Sequence, residues 1–147
     1  QLYYGTEILM NGTKNVTDGN VRKDFPGGFT GDEVNKFTRE GRTKAENAMF
    51  DWLSRLLHWR QGNDVVTKGR QVQFIPYNGV YVVARQNKGK TVLTILNGKR
   101  TENTLSVNRY AEVIGSASTA TDVITGDKVD ISKDVVLPAR AAIILEF

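Results

Sequence analysis

The chain has 147 residues, 39% apolar and 24% charged, with a formal net charge of +4, one histidine and no cysteine. That length holds one ordinary domain, or a small domain with part of another, and the composition speaks against wholesale disorder. The lack of thiols excludes disulfides and thiolate metal sites, and no apolar run reaches the ~20 residues of a bilayer span.

The chain begins on Leu2-Tyr3-Tyr4-Gly5-Thr6-Glu7, and residues 1–10 read as a strand ending near Gly5, then a turn or short helix through Ile8-Leu9-Met10. The strand opens without lead-in, as though it continued a preceding part of a larger domain. Residues 11–42 form a long polar connection with glycines at 12, 19, 27, 28, 31 and 41. Irregular stretches of this length are uncommon in compact domains and are usually functional or disordered. Pro26-Gly27-Gly28 is a turn signal within it, and residues 31–37 are expected to hold at most one helical turn.

Residues 43–61 are the clearest helix. Thr43-Lys44-Ala45-Glu46 has the spacing of a capping box, and Ala45, Ala48, Met49, Trp52, Leu53, Leu56 and Leu57 recur on one helical face. Arg60 suits the negative end of the helix, and Gly62 suits a left-handed cap. A face this apolar is expected to lie on a large surface, or to drive self-association if nothing covers it.

From residue 69 the period changes to two. Strands are expected over 71–75 and 80–84 around Tyr77-Asn78-Gly79, over 91–96 after Asn87-Lys88-Gly89, and over 104–107 and 110–114. Further strands are expected at 123–124 and 128–131 around Thr125-Gly126-Asp127, then at 135–137 and 141–147. Short strands at near-regular spacing indicate a mainly β fold, an antiparallel sandwich. The expected domains are therefore residues 1–68, strand-loop-helix, and residues 69–147, all-β.

Taken together, Leu2-Tyr3-Tyr4-Gly5-Thr6-Glu7, Asp18-x-x-x-Arg22 and the helix over 43–61 resemble a known arrangement. It is the eighth strand, following loop and last helix of the (β/α)₈ barrel in the α-amylase superfamily, glycoside hydrolase family 13. The loop is most similar to that of cyclomaltodextrinases, neopullulanases and cyclodextrin glucanotransferases. Asp24-Phe25-Pro26-Gly27-Gly28-Phe29 looks most like the starch-utilisation branch. Residues 69–147 are similar to the C-terminal β domain of these enzymes, and the resemblance covers the whole chain in order.

The resemblance implies the C-terminal portion of an enzyme acting on α-glucans or maltodextrins, with Asp18 and Arg22 binding donor-side glucose units. The family's nucleophile, acid/base and transition-state-stabilising carboxylates lie on earlier strands, so no catalytic residue is expected here and this piece alone is expected to be inactive. A periplasmic or extracellular location is implied by the resemblance only.

The residues themselves weigh the same candidates. Glu7, Asp18 and Asp24 share one loop with no opposing acid, whereas glycoside hydrolysis needs two carboxyl groups held across the scissile bond. Asp18 and Arg22 suit hydroxyl binding, though taken without the resemblance a local surface ion pair is the favoured reading of the two. Tyr3 and Tyr4 are stacking candidates or barrel core, and Glu7 is a candidate anchor for the loop. Trp52 and Trp59 read as packing residues, while Tyr77, Tyr81 and Tyr110 are candidates for a sugar platform on the sandwich. With His58 as the one histidine, no metal site is expected, and no cofactor. Basic residues are interspersed with acids, as in Arg22-Lys23-Asp24, and no Lys/Arg run exceeds two. Neither a nucleic acid nor a membrane is therefore expected as a partner. The alternative reading is a non-catalytic carbohydrate-binding or interaction module.

Overall fold

The computed structural model describes residues 2–147. The chain divides into two compact units, one ending at Arg55 and the other running from Leu56 to Phe147.

In the first unit, Leu2–Gly5 forms no strand, contrary to expectation. A strand is held by ladder bonds to a neighbour, and no neighbour is available within this unit. The backbone instead folds on itself: Gly5 turns left-handed at φ 83° and its carbonyl accepts the amides of Ile8 and Met10. A 3₁₀ turn over Thr6–Ile8 follows, and a second covers Asp18–Val21. The expected helical turn within 31–37 is also absent; that stretch consists of bends and turns.

The connection is nonetheless built. Gly27, at φ 111°, and Gly41 both abut Asn35; a Cβ at Gly27 would stand 2.7 Å from the Asn35 Cα, and one at Gly41 would meet the Asn35 carbonyl. Only glycine admits such close approach of three chain segments. Lys36 donates its amide to the Pro26 carbonyl at 2.9 Å, and the Phe25 and Phe37 rings meet at 4.5 Å.

Helix α1 spans Lys44–Gln61. The capping box forms as expected: the Glu46 amide donates to Thr43 Oγ1 at 3.3 Å, and the Thr43 amide donates to Glu46 Oε2 at 2.7 Å. The same Glu46 oxygen accepts Lys36 Nζ at 2.6 Å. Arg39 forks onto Asp51, and Arg42 lies 3.9 Å over the Phe50 ring while bonding the Asn47 side chain. Three loop side chains, Lys36, Arg39 and Arg42, thus fasten the loop to the first turns of the helix.

Gly62 does not close α1 in a left-handed cap. Its amide still bonds the His58 carbonyl, and Asn63 at once caps a short helix α2, Asp64–Lys68, by accepting the Val65 and Val66 amides. The second unit therefore starts before residue 69, where the sequence period changes. Val65 packs with Val92 and Ile144, and Leu56, Trp59 and Val66 gather around them.

The second unit is an antiparallel sandwich. Its strands are β1 Arg70–Gln73, β2 Val80–Asn87, β3 Lys90–Asn97, β4 Asn103–Leu105, β5 Thr119–Asp122, β6 Lys128–Asp130, β7 Val135–Leu137 and β8 Ala142–Glu146. Six form a sheet in the order β1-β2-β3-β8-β5-β6, and β4 pairs with β7 in a small second sheet. Two hairpins use the expected turns. Asn78 and Gly79, at φ 50° and 75°, join β1 to β2, while Lys88 and Gly89, at 49° and 76°, join β2 to β3. Positive φ at both central residues matches the twist of the flanking strands.

Period-two alternation sends Val82, Ala84, Leu93, Ile95 and Leu145 to one face of the large sheet, where they meet Leu105 and Leu137 of the small one. The remainder of that core comes from a stretch expected to be a strand. Residues 110–114 are helical, with a 3₁₀ turn over Val107–Tyr110 running into α3, Ala111–Ile114. Val107, Tyr110, Val113 and Ile114 are all buried, and their spacing of three, three and one is a helical face. Val123 and Ile124 are likewise outside any strand, because Asp122 Oδ1 accepts the Ile124 and Thr125 amides and turns the chain after β5.

Asn97 joins the two sheets. Buried at the end of β3, it donates from Nδ2 to the carbonyls of Thr101 (3.1 Å), Leu137 (3.4 Å) and Pro138 (2.8 Å), and its Oδ1 accepts the Lys99 amide at 3.0 Å. Asn97→Ala leaves these groups unpartnered and is expected to cost roughly 2–4 kcal/mol. Asn97→Asp, which turns an acceptor toward three carbonyls, should be at least as harmful. Urea unfolding of the two variants measures both.

Glu46 sets a pH dependence. The Lys36 ammonium, then the Thr43 amide, hold its carboxyl below the ordinary carboxylate range. The stabilisation is therefore complete above the unfolded-state value near 4.3 and is lost as pH falls through the lowered one. Glu46→Gln should flatten that part of the stability–pH curve. Thr43→Ala should cost ~0.5–2 kcal/mol at neutral pH, read as a shift in unfolding midpoint.

Candidate functional site

Two close approaches shape the front loop. A Cβ on Gly5 would run into the Met10 side chain, and one on Gly12 into the Asn20 carbonyl. With these contacts made, a cleft of about 280 Å³ opens between the 3–4 and 10–12 segments and the 20–23 segment. Asn20 Oδ1 accepts the Thr13 amide at 2.7 Å, and Lys23 Nζ reaches the Asn11 carbonyl at 3.4 Å. These bonds close the loop across its neck.

Asp18 and Arg22 stand together on the 3₁₀ turn that Thr17 caps by accepting the Asn20 amide. Their charged atoms are 3.5 Å apart, and the side chains are 63% and 64% exposed. One turn of backbone brings an i, i+4 pair onto the same side, which is why the spacing produces the contact. An exposed pair of this kind is worth ~0–1 kcal/mol, so a ligand that re-pairs both groups meets little resistance. The carboxylate offers acceptors and the guanidinium a planar fork of donors, a set that matches adjacent sugar hydroxyls.

Tyr3 and Tyr4 line the cleft and are about half exposed, so they are not core in this unit. Their rings meet at 4.5 Å, tilted by 42°. The Tyr4 hydroxyl donates to the Lys23 carbonyl at 2.9 Å. Loss of water around it raises its pKa above the ordinary tyrosine value, the Tyr3 hydroxyl and the Asp24 charge push the same way, and Arg22 opposes them. Tyr4 therefore remains a protonated donor at neutral pH. Asn20 and Lys23 belong to this wall too, and the sequence reading passed over both. The one signal for Asn20 was its place after Asp18-Gly19, where an Asx side chain brackets a turn.

Other candidates resolve differently. Glu7, expected to anchor the loop, makes no side-chain hydrogen bond among the described residues. Trp59 is a packing residue with a polar handle, its Nε1 donating to Glu146 Oε2 at 3.3 Å. Tyr110 is core, edge-on to Phe74 at 4.9 Å, and burial raises its pKa. Tyr81 is half-buried in β2, whereas Tyr77 is exposed beside Arg109. His58 is exposed on α1. Among the described residues no three His, Asp or Glu side chains converge as metal ligands, and no helix is long and apolar enough to cross a membrane.

Comparison with known proteins now gives this geometry a context. A family model, the cyclo-malto-dextrinase C-terminal domain, matches residues 71–146. Among solved structures, an α-amylase from Geobacillus thermoleovorans in complex with acarbose is 21% identical with a TM-score of 0.68, covering 98% of this chain. An Anoxybacillus α-amylase is 19% identical over the same share, with a TM-score of 0.66. A maltogenic α-amylase from Thermotoga neapolitana is 20% identical over 69% of this chain, with a TM-score of 0.55. This chain spans 28% of the first two of those proteins and 26% of the third. At these identities the solved structures speak for the fold, and the family model, which matches more than half of the chain, for the kinship. The chain belongs to the cyclo-malto-dextrinase C-terminal domain family, in the α-amylase superfamily of glycoside hydrolases.

Proposed function

We propose that this chain is the C-terminal portion of a glycoside hydrolase that degrades α-glucans or maltodextrins, of the neopullulanase and cyclomaltodextrinase kind. Residues 1–68 supply the last strand-loop-helix unit of a (β/α)₈ barrel, and residues 69–147 are the β domain that follows it. Once the remaining barrel strands are present, Leu2–Gly5 gains a ladder partner and becomes the eighth strand. The observation that carries this reading is the family match over 71–146, joined to the 98% coverage against two α-amylases.

In this reading the chain contributes binding rather than bond cleavage. Retaining hydrolysis needs one carboxyl group as acid and another as nucleophile, ~5 Å apart on opposite sides of the glycosidic bond. Asp18 and Asp24 lie on one loop, and Asp18 is engaged with Arg22. The catalytic carboxylates belong to earlier barrel strands. Asp18 accepts hydrogen bonds from, and Arg22 donates them to, the hydroxyls of donor-side glucose units. The bonds from Thr13 to Asn20 and from Lys23 to Asn11, beside the cleft that Tyr3 and Tyr4 line, keep the loop in shape.

Two outcomes test the reading. The 147-residue chain should release no reducing sugar from maltoheptaose or β-cyclodextrin. In the enzyme carrying the whole barrel, Arg22→Ala and Asp18→Ala should each lower kcat/KM for maltoheptaose by roughly tenfold or more, mostly through KM. That is the scale expected for a lost hydrogen bond to a charged group. Unchanged kinetics would remove both residues from the site. The exposed Ala45, Ala48 and Leu57 of α1 also lead us to expect concentration-dependent self-association of the isolated chain, read by sedimentation velocity.

A further inference from the structure

The β unit carries a second cavity, of about 190 Å³. Val80, Leu105 and Tyr110, each at most 3% exposed, give it a buried, mostly apolar lining. Its wall is Tyr77, which is 63% exposed.

The Tyr77 ring is held in place without being covered. Its backbone amide and carbonyl both bond Val80, at 3.0 and 2.8 Å, across the Asn78-Gly79 turn. The Arg109 guanidinium stacks 4.8 Å from the ring centroid and is itself fixed by a 3.3 Å bond to the Ile75 carbonyl. With the guanidinium against the ring, the 63% exposure of Tyr77 still leaves ring surface open to a ligand.

The rim supplies uncommitted hydrogen-bonding groups. Ser106 occupies the N-cap of the 107–110 turn, yet its hydroxyl makes no capping bond. Asp134 does that job, accepting the Val107 amide at 3.1 Å through Oδ1. The Ser106 hydroxyl and the second Asp134 oxygen have no partner among the described residues, and both residues line the cavity.

These features select a ligand class. Arg109 and Asp134 cancel in charge, which disfavours phosphates and simple cations and suits a neutral ligand. The volume lies below the ~300–1,000 Å³ of pockets that enclose a drug-sized molecule, so it admits one ring with the remainder running into solvent. A pyranose has an apolar C–H face for an aromatic ring and an equatorial belt of hydroxyls for a carboxylate and a serine. We propose that this cavity is a carbohydrate subsite that takes one pyranose unit of a neutral oligosaccharide. Tyr77 is its stacking wall, and Asp134 and Ser106 receive the hydroxyls. That the oligosaccharide is an α-glucan rests on the function proposed above; the pyranose itself does not.

Isothermal titration calorimetry of the 147-residue chain with maltoheptaose, and separately with cellohexaose, tests this. The expected result is saturable binding of maltoheptaose that weakens about tenfold in Tyr77→Ala and is retained in Tyr77→Trp, the scale of one aromatic stacking contact. Asp134→Asn, which keeps the oxygen that caps Val107, should weaken binding by a smaller factor. Unfolding midpoints within experimental error of the parent confirm that these variants fold. Tyr77-dependent binding of cellohexaose, with none of maltoheptaose, upholds the pyranose subsite and overturns its assignment to α-glucan. Binding that survives in Tyr77→Ala but disappears in Arg22→Ala overturns the subsite and leaves the function proposed for the loop standing. Absence of heat with either sugar overturns the subsite as well.

Discussion

One buried amide carries the joint of the β unit. Asn97 ends β3 in the large sheet, and its side chain fastens the chain leaving β7 in the small one and the 98–101 turn. Its backbone amide also bonds the Ala141 carbonyl, just before β8. A sandwich needs some device that sets the distance and angle between its sheets, and apolar packing alone is too tolerant to do so. Here the device is a side chain able to donate and accept at the same place. Isosteric replacement fails, because neither Leu nor Asp reproduces that mixture.

The first unit solves a different problem. Its connection has no ladder or long helix to satisfy its backbone, so the chain is folded tightly enough for distant segments to touch. Asn35 is the centre of that fold, with Gly27 and Gly41 against it. Lys36, Arg39 and Arg42 then carry the arrangement to the helix. Glu46 Oε2 accepts both Lys36 Nζ and the Thr43 amide, so starting the helix and closing the loop are one event. Asp18 and Arg22 stand on the separate turn that Thr17 caps, and their own mutual attraction is too weak to position them.

Local rules written into few residues were legible from the sequence. Thr43-Lys44-Ala45-Glu46 and the two turns Asn78-Gly79 and Lys88-Gly89 each specify their conformation through neighbours a few positions away. The Asp18–Arg22 contact is equally local. What escaped notice depended on partners remote in sequence or on a rival period. Val107, Tyr110, Val113 and Ile114 form a helical face set in an otherwise period-two region, too short to outweigh its surroundings. Leu2–Gly5 has strand composition, but a strand is a pairwise object and the pairing is absent within its unit. Tyr77, the Ser106–Arg109 turn and Asp134 converge from three stretches of chain, and no spacing rule joins the three. The proposal that the loop binds sugar came from the family resemblance, because the local residues by themselves favoured a surface ion pair.

The contact between Gly5 and Met10 has a chemical consequence. The chain has no cysteine and two methionines, so Met10 and Met49 hold all of its oxidisable sulfur. Met10 lines the front cleft with its thioether packed against the Gly5 backbone, where even a methyl group has no room. Peroxide converts a thioether to a larger, polar sulfoxide. An oxygen added on the side that faces Gly5 has no room unless the 3–5 segment moves. Oxidation at this sulfur would therefore bear on the Tyr3–Tyr4 side of the cleft, and methionine sulfoxide reduction is the chemistry that reverses it.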